Sequence, residues 1–109
     1  MKPEDHLPLR PVEFQILTSL IQGERHGYAI LQEVEARGEG PAVPGLATLY
    51  RAMLRLEKEG LIARLDEAAP TLEDERRRVY RLTPLGRAVV VSEARRLAPL
   101  VSLVERAIP

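Results

Sequence analysis

The amino-acid sequence predicts a mainly α-helical fold with one small β-hairpin. Apolar residues recur at helical spacing in four segments of the 109-residue chain. Two short segments, residues 61–66 and 77–82, instead favour strands, because they combine strand-preferring residue types with alternating side chains. The length suits a single domain with a modest core.

The composition restricts the class of function. The chain has no cysteine, so a disulfide framework and thiolate chemistry are excluded. Its two histidines, His6 and His26, lack metal-ligand spacing, and no catalytic constellation is recognisable. We therefore expect no enzyme, no metal and no cofactor. No apolar run reaches the length of a membrane span and no signal-peptide pattern is visible, which predicts a cytoplasmic protein without membrane contact.

The first third of the chain predicts an arm followed by two helices. Residues 1–9 are polar and contain prolines, which is typical of a loose arm. Pro11 suits the first turn of a helix, and apolar residues at helical spacing extend that helix over residues 11–22. A second apolar pattern predicts a helix over residues 26–37.

The predicted start of the second helix, at His26, Gly27 and Tyr28, is a candidate binding site for a phosphate. Free N–H groups and the helix dipole favour an anion there, and His26 can add a donor. A partly buried structural histidine explains His26 equally well.

The third predicted helix organises the chain. It follows a turn region at residues 38–45, which holds three glycines and two prolines, and Gly60 stops it. At 100° per residue the helix separates into two arcs. The apolar arc comprises Leu46, Leu49, Tyr50, Met53, Leu54 and Leu56. The opposite arc comprises Ala47, Thr48, Arg51, Ala52, Arg55, Lys58 and Glu59.

The second of these arcs fits a polyanion, because small residues such as Ala47 permit close approach while long cations reach phosphates or guanine edges. We expect the bases to be met by Thr48, Arg51 and Arg55, and a phosphate by Lys58. Two helices joined by a turn-rich connector form the helix-turn-helix arrangement. A solvated amphipathic helix is the plainer explanation of the same pattern.

The two predicted strands enclose a long connection over residues 67–76, so the hairpin has the form of a wing with an extended tip. On its return strand, Arg76, Arg77 and Arg78 could reach a minor groove or flanking phosphates. At most two of them can face one partner, because side chains alternate along a strand. The acidic run at residues 73–75 supports a second interpretation, a mutually neutralising acid–base run.

A last helix is predicted from Thr83, a suitable N-cap, with Pro84 at its first position. Pro99 is expected to bend or split this helix. A coiled-coil-like stripe with spacings of four and three residues runs along it, and its members are Val90, Ala94, Leu97, Val101, Val104 and Ile108. Such a stripe needs a partner surface, either in a twofold dimer or on the first helix of the same chain.

Glu57 fits badly in the apolar arc of the third helix. A buried carboxylate without a partner is costly. We therefore expect an ion pair with a nearby arginine, with Arg78 and Arg81 as the candidates.

Several blocks of sequence now combine into a family pattern. In chain order they are Gly23-Glu24, His26-Gly27-Tyr28, Ala47-Thr48-Leu49-Tyr50, the segment 54–62 (LRLEKEGLI) and the segment 78–86 (RVYRLTPLG). Together they resemble the PadR family of bacterial transcriptional regulators. The family usually has Gly where Ala47 stands and Pro where Arg51 stands, so Arg51 adds a cation to the outward arc.

The resemblance implies a winged helix-turn-helix DNA-binding domain with an N-terminal arm over residues 1–83, and a C-terminal dimerisation helix over residues 84–109. It also implies a homodimer that binds a pseudo-palindromic operator in double-stranded DNA, usually as a repressor. The large effector-binding tail of other members is absent, and the chain has no Trp, so the sequence gives no support for a small-molecule inducer.

The charge distribution leaves a rival function open. The net charge is zero, with −3 on residues 1–44 and +3 on residues 45–109. Neutrality favours a winged-helix module that docks on a protein without touching DNA, whereas the basic second part favours DNA. Salt separates the two, because binding through phosphates weakens steeply as salt rises.

Overall fold

The computed structural model describes residues 2–37, 45–65 and 78–109 of the chain. Within them, a short 3-10 helix at Pro3–His6 precedes four α-helices and three strands. The helices are α1 (Pro11–Ser19), α2 (Gly27–Arg37), α3 (Leu46–Lys58) and α4 (Pro84–Ala107). The strands are β1 (Arg25–His26), β2 (Ile62–Arg64) and β3 (Val79–Leu82).

The strands form one antiparallel sheet in the order β1-β3-β2. The predicted mainly α-helical fold with a small hairpin is therefore confirmed, and β1 is an addition to it. Its register pairs Arg25 with Tyr80 and His26 with Val79. The predicted turn region and the tip of the wing lie mostly outside the described residues.

The core forms where α1 packs against α2, α3 and α4. Each helix supplies the apolar side of its 3.6-residue pattern, and β2 and β3 add side chains from one face of the sheet. The fully buried apolar side chains are Ile16, Leu17, Ile30, Val34, Leu49, Ala52, Leu56, Leu61 and Val89. Burial of each large one contributes about 1.5–3 kcal/mol relative to exposure.

Helix α3 ends in a Schellman motif. Gly60 has a φ of +78°, a left-handed conformation that glycine adopts without a steric cost. Its N–H donates to the carbonyl of Glu57 at 3.0 Å, and the N–H of Leu61 donates to the carbonyl of Leu56 at 2.9 Å. The predicted stop at Gly60 is confirmed, and it directs the chain from α3 into β2.

Helix α4 begins in direct contact with this turn. The Thr83 hydroxyl accepts a hydrogen bond from the Gly86 N–H at 3.0 Å and donates one to the carbonyl of Gly60 at 2.6 Å. A Cβ on Gly86 would lie 1.8 Å from the carbonyl oxygen of Leu61. The predicted N-cap is therefore confirmed, and glycine at position 86 allows the backbones of α4 and the turn to touch. The helix continues without a break through Pro99.

The N-terminal arm is ordered against the fold, and the prediction of a loose arm is wrong. Its 3-10 helix packs on α4, and Leu7 and Leu9 pack on the core. The N–H of Leu9 donates to the buried carboxylate of Glu93 at 2.6 Å, and Arg96 Nε donates to the other oxygen at 2.5 Å. His6 Nδ1 lies 3.6 Å from a Glu59 carboxylate oxygen just after α3. These partners are distant in sequence, so the composition of the arm carried no sign of them.

The first helix is shorter than predicted. The prediction extended it to residue 22, whereas α1 ends at Ser19 and Leu20 is its C-cap. The N–H groups of Leu20, Ile21 and Gly23 close a tighter turn by bonding carbonyls three residues back. The apolar residues in this turn still face the core, which explains why periodicity overran the end of the helix.

The contact between Gly86 and Leu61 predicts a large cost for Gly86→Ala. The new Cβ would collide with backbone atoms, and we expect a loss of about 1–3 kcal/mol in the free energy of unfolding, as for overpacking of a core. Urea denaturation measures it. Gly45→Ala is the matched control, because no described residue lies within 4 Å of a Cβ at that position. Equal stability of the two variants would contradict this packing.

The carboxylate of Glu93 predicts an acid-sensitive contribution to stability. The hydrogen bond from Arg96 lowers the pKa of Glu93, burial opposes this, and the Leu9 N–H lowers the pKa further. A depressed pKa in the folded state stabilises the fold above the unfolded value of about 4.3, and this contribution is lost as pH falls through the folded pKa.

Glu93→Gln should therefore be less stable than the wild type at pH 7, and the difference should shrink in acid. Urea denaturation at several pH values measures the difference. Glu105→Gln removes an exposed carboxylate from the same helix and serves as the control. A difference that stays constant down to about pH 2.5 would refute a role for the ionised carboxylate.

Candidate nucleic-acid interface

The orientation of α3 is set by the residues that it buries. Leu49, Ala52, Met53 and Leu56 are at most 3% exposed and face the core. Ala52 was predicted on the outward arc and is fully buried, and Leu54 was predicted on the apolar arc and is 60% exposed. At 100° per residue Ala52 falls beside Leu56, and Leu54 falls almost opposite Ala52. The position of a residue around α3 therefore decides its burial. The hydrophobicity of Leu54 alone predicts a core position, and that prediction is wrong.

One exposed line of side chains runs along α3 with spacings of four, three and four residues. We call it the outer stripe, and it consists of Ala47, Arg51, Leu54 and Lys58. Thr48 is exposed beside it. The ion pairs between described residues do not include Arg51 or Lys58. The stripe thus presents two cations, one small residue and one apolar side chain on one surface.

Arg55 lies at the edge of this surface and forms an ion pair with a residue of α1. Its Nε donates to Oε2 of Glu13 on α1 at 3.0 Å, and its side chain is 34% exposed. Glu13 is buried, and its other oxygen accepts from the Arg10 N–H at 3.1 Å. Arg55 is predicted among the residues nearest the bases, and its partner Glu13, 42 residues away in sequence, is not predicted. An internal ion pair is therefore the contact that the structure assigns to Arg55.

Glu57 has an arginine partner, as predicted, but the partner is a different one. Arg64 Nε on β2 lies 2.8 Å from Oε1 of Glu57. Arg78, one of the two predicted candidates, lines the same small crevice between α3 and the sheet. Arg81, the other candidate, is exposed on β3. The predicted partners lie on the returning strand, whereas the outgoing strand supplies the observed one.

The start of α2 lies at the end of β1. Tyr28 is 52% exposed, and the exposed His26 belongs to β1 rather than to the helix. Gly27 is buried, and its N–H donates to the carbonyl of Arg78 at 2.9 Å. The sheet therefore uses the first N–H group that was expected to receive a phosphate. A phosphate at this helix end would have to bind the groups that follow Gly27.

Of the three wing arginines, the structure describes only Arg78. Arg76 and Arg77 lie outside the described residues. Arg78 lies immediately before β3, and its side chain is only 6% exposed, so it is packed within the fold. Alternation along the strand turns its side chain inward, and the predicted contact of Arg78 with DNA is corrected accordingly.

The predicted dimerisation stripe divides into two parts along α4. Val90 is 4% exposed and belongs to the core of its own chain, so its assignment to a dimer contact is corrected. Ala94 borders an apolar groove between α1 and α4, and Leu97 is half-buried. Beyond Pro99, the large apolar side chains are 51–64% exposed, and they are Leu100, Val101, Leu103, Val104 and Ile108.

Across residues 2–37, 45–65 and 78–109, no three histidine or acidic side chains gather in a manner that could hold a metal ion. In the same segments, no helix has the length and hydropathy needed to cross a bilayer.

Comparison with known proteins places the chain in a family. A family model described as "Transcriptional regulator PadR-like family" matches residues 16–92. A transcriptional regulator of Mycobacterium tuberculosis is 36% identical over 89 residues, which cover 82% of this chain and 78% of the relative. An uncharacterised 37.1 kDa protein in a transposon of Streptomyces fradiae is 37% identical over 95 residues, 86% of this chain but only 25% of that protein.

Solved structures show the same relationship. A transcriptional regulator from Clostridium thermocellum superposes with a TM-score of 0.67 at 28% identity, and the match covers 90% of each chain. The residues that the family model matches begin in α1 and end in α4, so they include α3, the sheet and the start of the last helix. The chain belongs to the PadR-like family of transcriptional regulators, and it is a regulator rather than an enzyme.

Proposed function

We propose that the protein is a cytoplasmic, homodimeric repressor that binds a pseudo-palindromic operator, with α3 of each protomer in the major groove. The outer stripe carries this proposal. Arg51 and Lys58 are exposed there without an ion pair to another described residue, and Ala47 is small enough to permit close approach. A helix that packs on the core through one face and presents cationic and small side chains on the other suits the groove of a polyanion.

The remaining contacts follow from the position of α3. Lys58 at the end of the helix is suited to a phosphate, and Thr48 beside the stripe is suited to a base edge. Tyr28, exposed at the start of α2, is suited to contact the sugar-phosphate backbone of the adjacent DNA strand. Arg76 and Arg77 remain candidates for the flanking groove. Arg55 contributes to this surface only through the part of its guanidinium that Glu13 leaves exposed.

The exposed apolar end of α4 supports the homodimer. Five large apolar side chains between Leu100 and Ile108 are more than half exposed. A monomer would leave them in water, at a cost of about 25 cal/mol for each Å² of apolar surface. A second copy related by a twofold axis buries them and sets two α3 helices on half-sites about 34 Å apart, one turn of DNA.

A protein-docking module without DNA binding is the rival function, and zero net charge is the observation that favours it. Such docking would rely on apolar contact and would respond weakly to salt. The salt dependence of binding therefore separates the two functions, because each phosphate contact contributes about −0.9 to the log–log slope of affinity against salt.

Substitutions in the outer stripe test the DNA contact. Binding-site selection with the purified chain at physiological salt supplies the operator, and fluorescence anisotropy measures affinity. Arg51→Ala is expected to lose about 1–3 kcal/mol and to relax preference at one base pair, if Arg51 meets a guanine edge. Lys58→Ala is expected to weaken binding to all DNA sequences alike and to reduce the slope of affinity against salt by about 1.

Arg87→Ala is the matched control for these variants. It removes the same charge from α4 beside residues 22–24, at the end of β3 away from the wing. Its affinity and salt slope should match those of the wild type. If both Arg51→Ala and Lys58→Ala bound with wild-type affinity, the outer stripe would be excluded from the interface.

A charge placed on the apolar end of α4 tests the dimer. Val104→Glu introduces a carboxylate into the exposed stripe and is expected to shift the protein from two chains to one in sedimentation equilibrium, since an unpaired charge in an apolar interface is costly. Ser102→Glu is the control, because that residue lies about 160° from Val104 around the helix. Retention of the dimer in Val104→Glu would relocate the interface.

A further inference from the structure

We propose that Leu54 determines part of the DNA specificity by packing against the C5 methyl group of a thymine in the major groove. This inference rests on the proposed function, because it requires α3 to lie in that groove. It adds to the interface a residue that the hydrophobic pattern of α3 predicts in the core.

The exposure of Leu54 is the first observation. Leu49, Met53 and Leu56 on the same helix are at most 3% exposed, whereas Leu54 is 60% exposed. It occupies the middle of the outer stripe, three residues after Arg51 and four before Lys58. These spacings put all three side chains on one surface of the helix, so a ligand that meets both cations also meets Leu54.

The charges around Leu54 indicate the kind of partner. Arg51 and Lys58 flank it along the helix, and Glu57 and Arg78 line the crevice on its sheet side. An apolar protein surface that covered Leu54 would also desolvate Arg51 and Lys58, which have no ion pair to another described residue, at a high cost. Duplex DNA instead offers phosphates to the cations and one apolar group to the leucine.

That apolar group is the thymine methyl. The other groups that base pairs display in the major groove are hydrogen-bond donors and acceptors, with which a leucine side chain cannot pair. Against a cytosine, Leu54 would desolvate the exocyclic amine without replacing its hydrogen bond. Leu54 is therefore expected to favour thymine over cytosine at one position of each half-site.

Uracil substitution tests the contact with a change of one methyl group. Each thymine of the selected operator is replaced in turn by uracil, and the affinities of the wild type and Leu54→Ala are measured by fluorescence anisotropy. At one position per half-site, uracil should weaken the wild type about four-fold, the value for burial of one methyl-sized group. Leu54→Ala should bind the thymine operator more weakly and should not respond to uracil there.

Arg87→Ala is the control, since it shortens an exposed side chain of α4 outside the outer stripe and should keep both the affinity and the response to uracil. Circular dichroism checks that each variant is folded, which is expected because Leu54 is exposed. If the wild type binds its operator with a steep salt slope but responds to uracil at no position, or responds as Leu54→Ala does, the contact is wrong and the proposed function stands. If the wild type selects no DNA, or binds with no salt dependence, both fail.

Discussion

The rest of the fold depends on a close backbone contact between the first turn of α4 and the turn that ends α3. Gly86 sits against the carbonyl of Leu61, and Thr83 bonds both the Gly60 carbonyl and the Gly86 N–H. Backbone atoms make this contact, so side-chain rearrangement cannot loosen it. The angle between α3 and α4 is consequently fixed within each chain. If α4 joins two copies, the spacing of the two α3 helices follows from this junction.

Two buried carboxylates extend the same rigidity to the N-terminal arm. Consecutive backbone N–H groups, those of Leu9 and Arg10, donate to Glu93 on α4 and Glu13 on α1. Glu13 also accepts a hydrogen bond from Arg55 on α3. A buried carboxylate keeps its charge only when such donors replace water, and each of these has both a backbone and an arginine donor. The arm is thereby tied to α4, and α1 is tied to α3.

The sequence predicted those features that depend on local rules. The stop at Gly60, the cap at Thr83 and the alternating strands each require only neighbouring residues, and all three are present. The errors concern contacts between distant residues or a conflict between two signals. Leu54 was assigned to the core by its hydrophobicity although its angle on α3 put it outside. The partner of Arg55 could not be found from sequence, because buried Glu13 looks like any acidic residue in a first turn.

A chain of zero net charge can present a cationic surface because its charges are unevenly distributed. Glu13, Glu33, Glu57 and Glu93 each pair with an arginine inside the described fold, so their charges are neutralised locally. Arg51 and Lys58 have no such partner among described residues, and their field extends outward from α3. Over a Debye length of about 8 Å at physiological salt, a ligand responds to these nearby cations rather than to the total charge. Net charge is therefore a weak argument against DNA binding here.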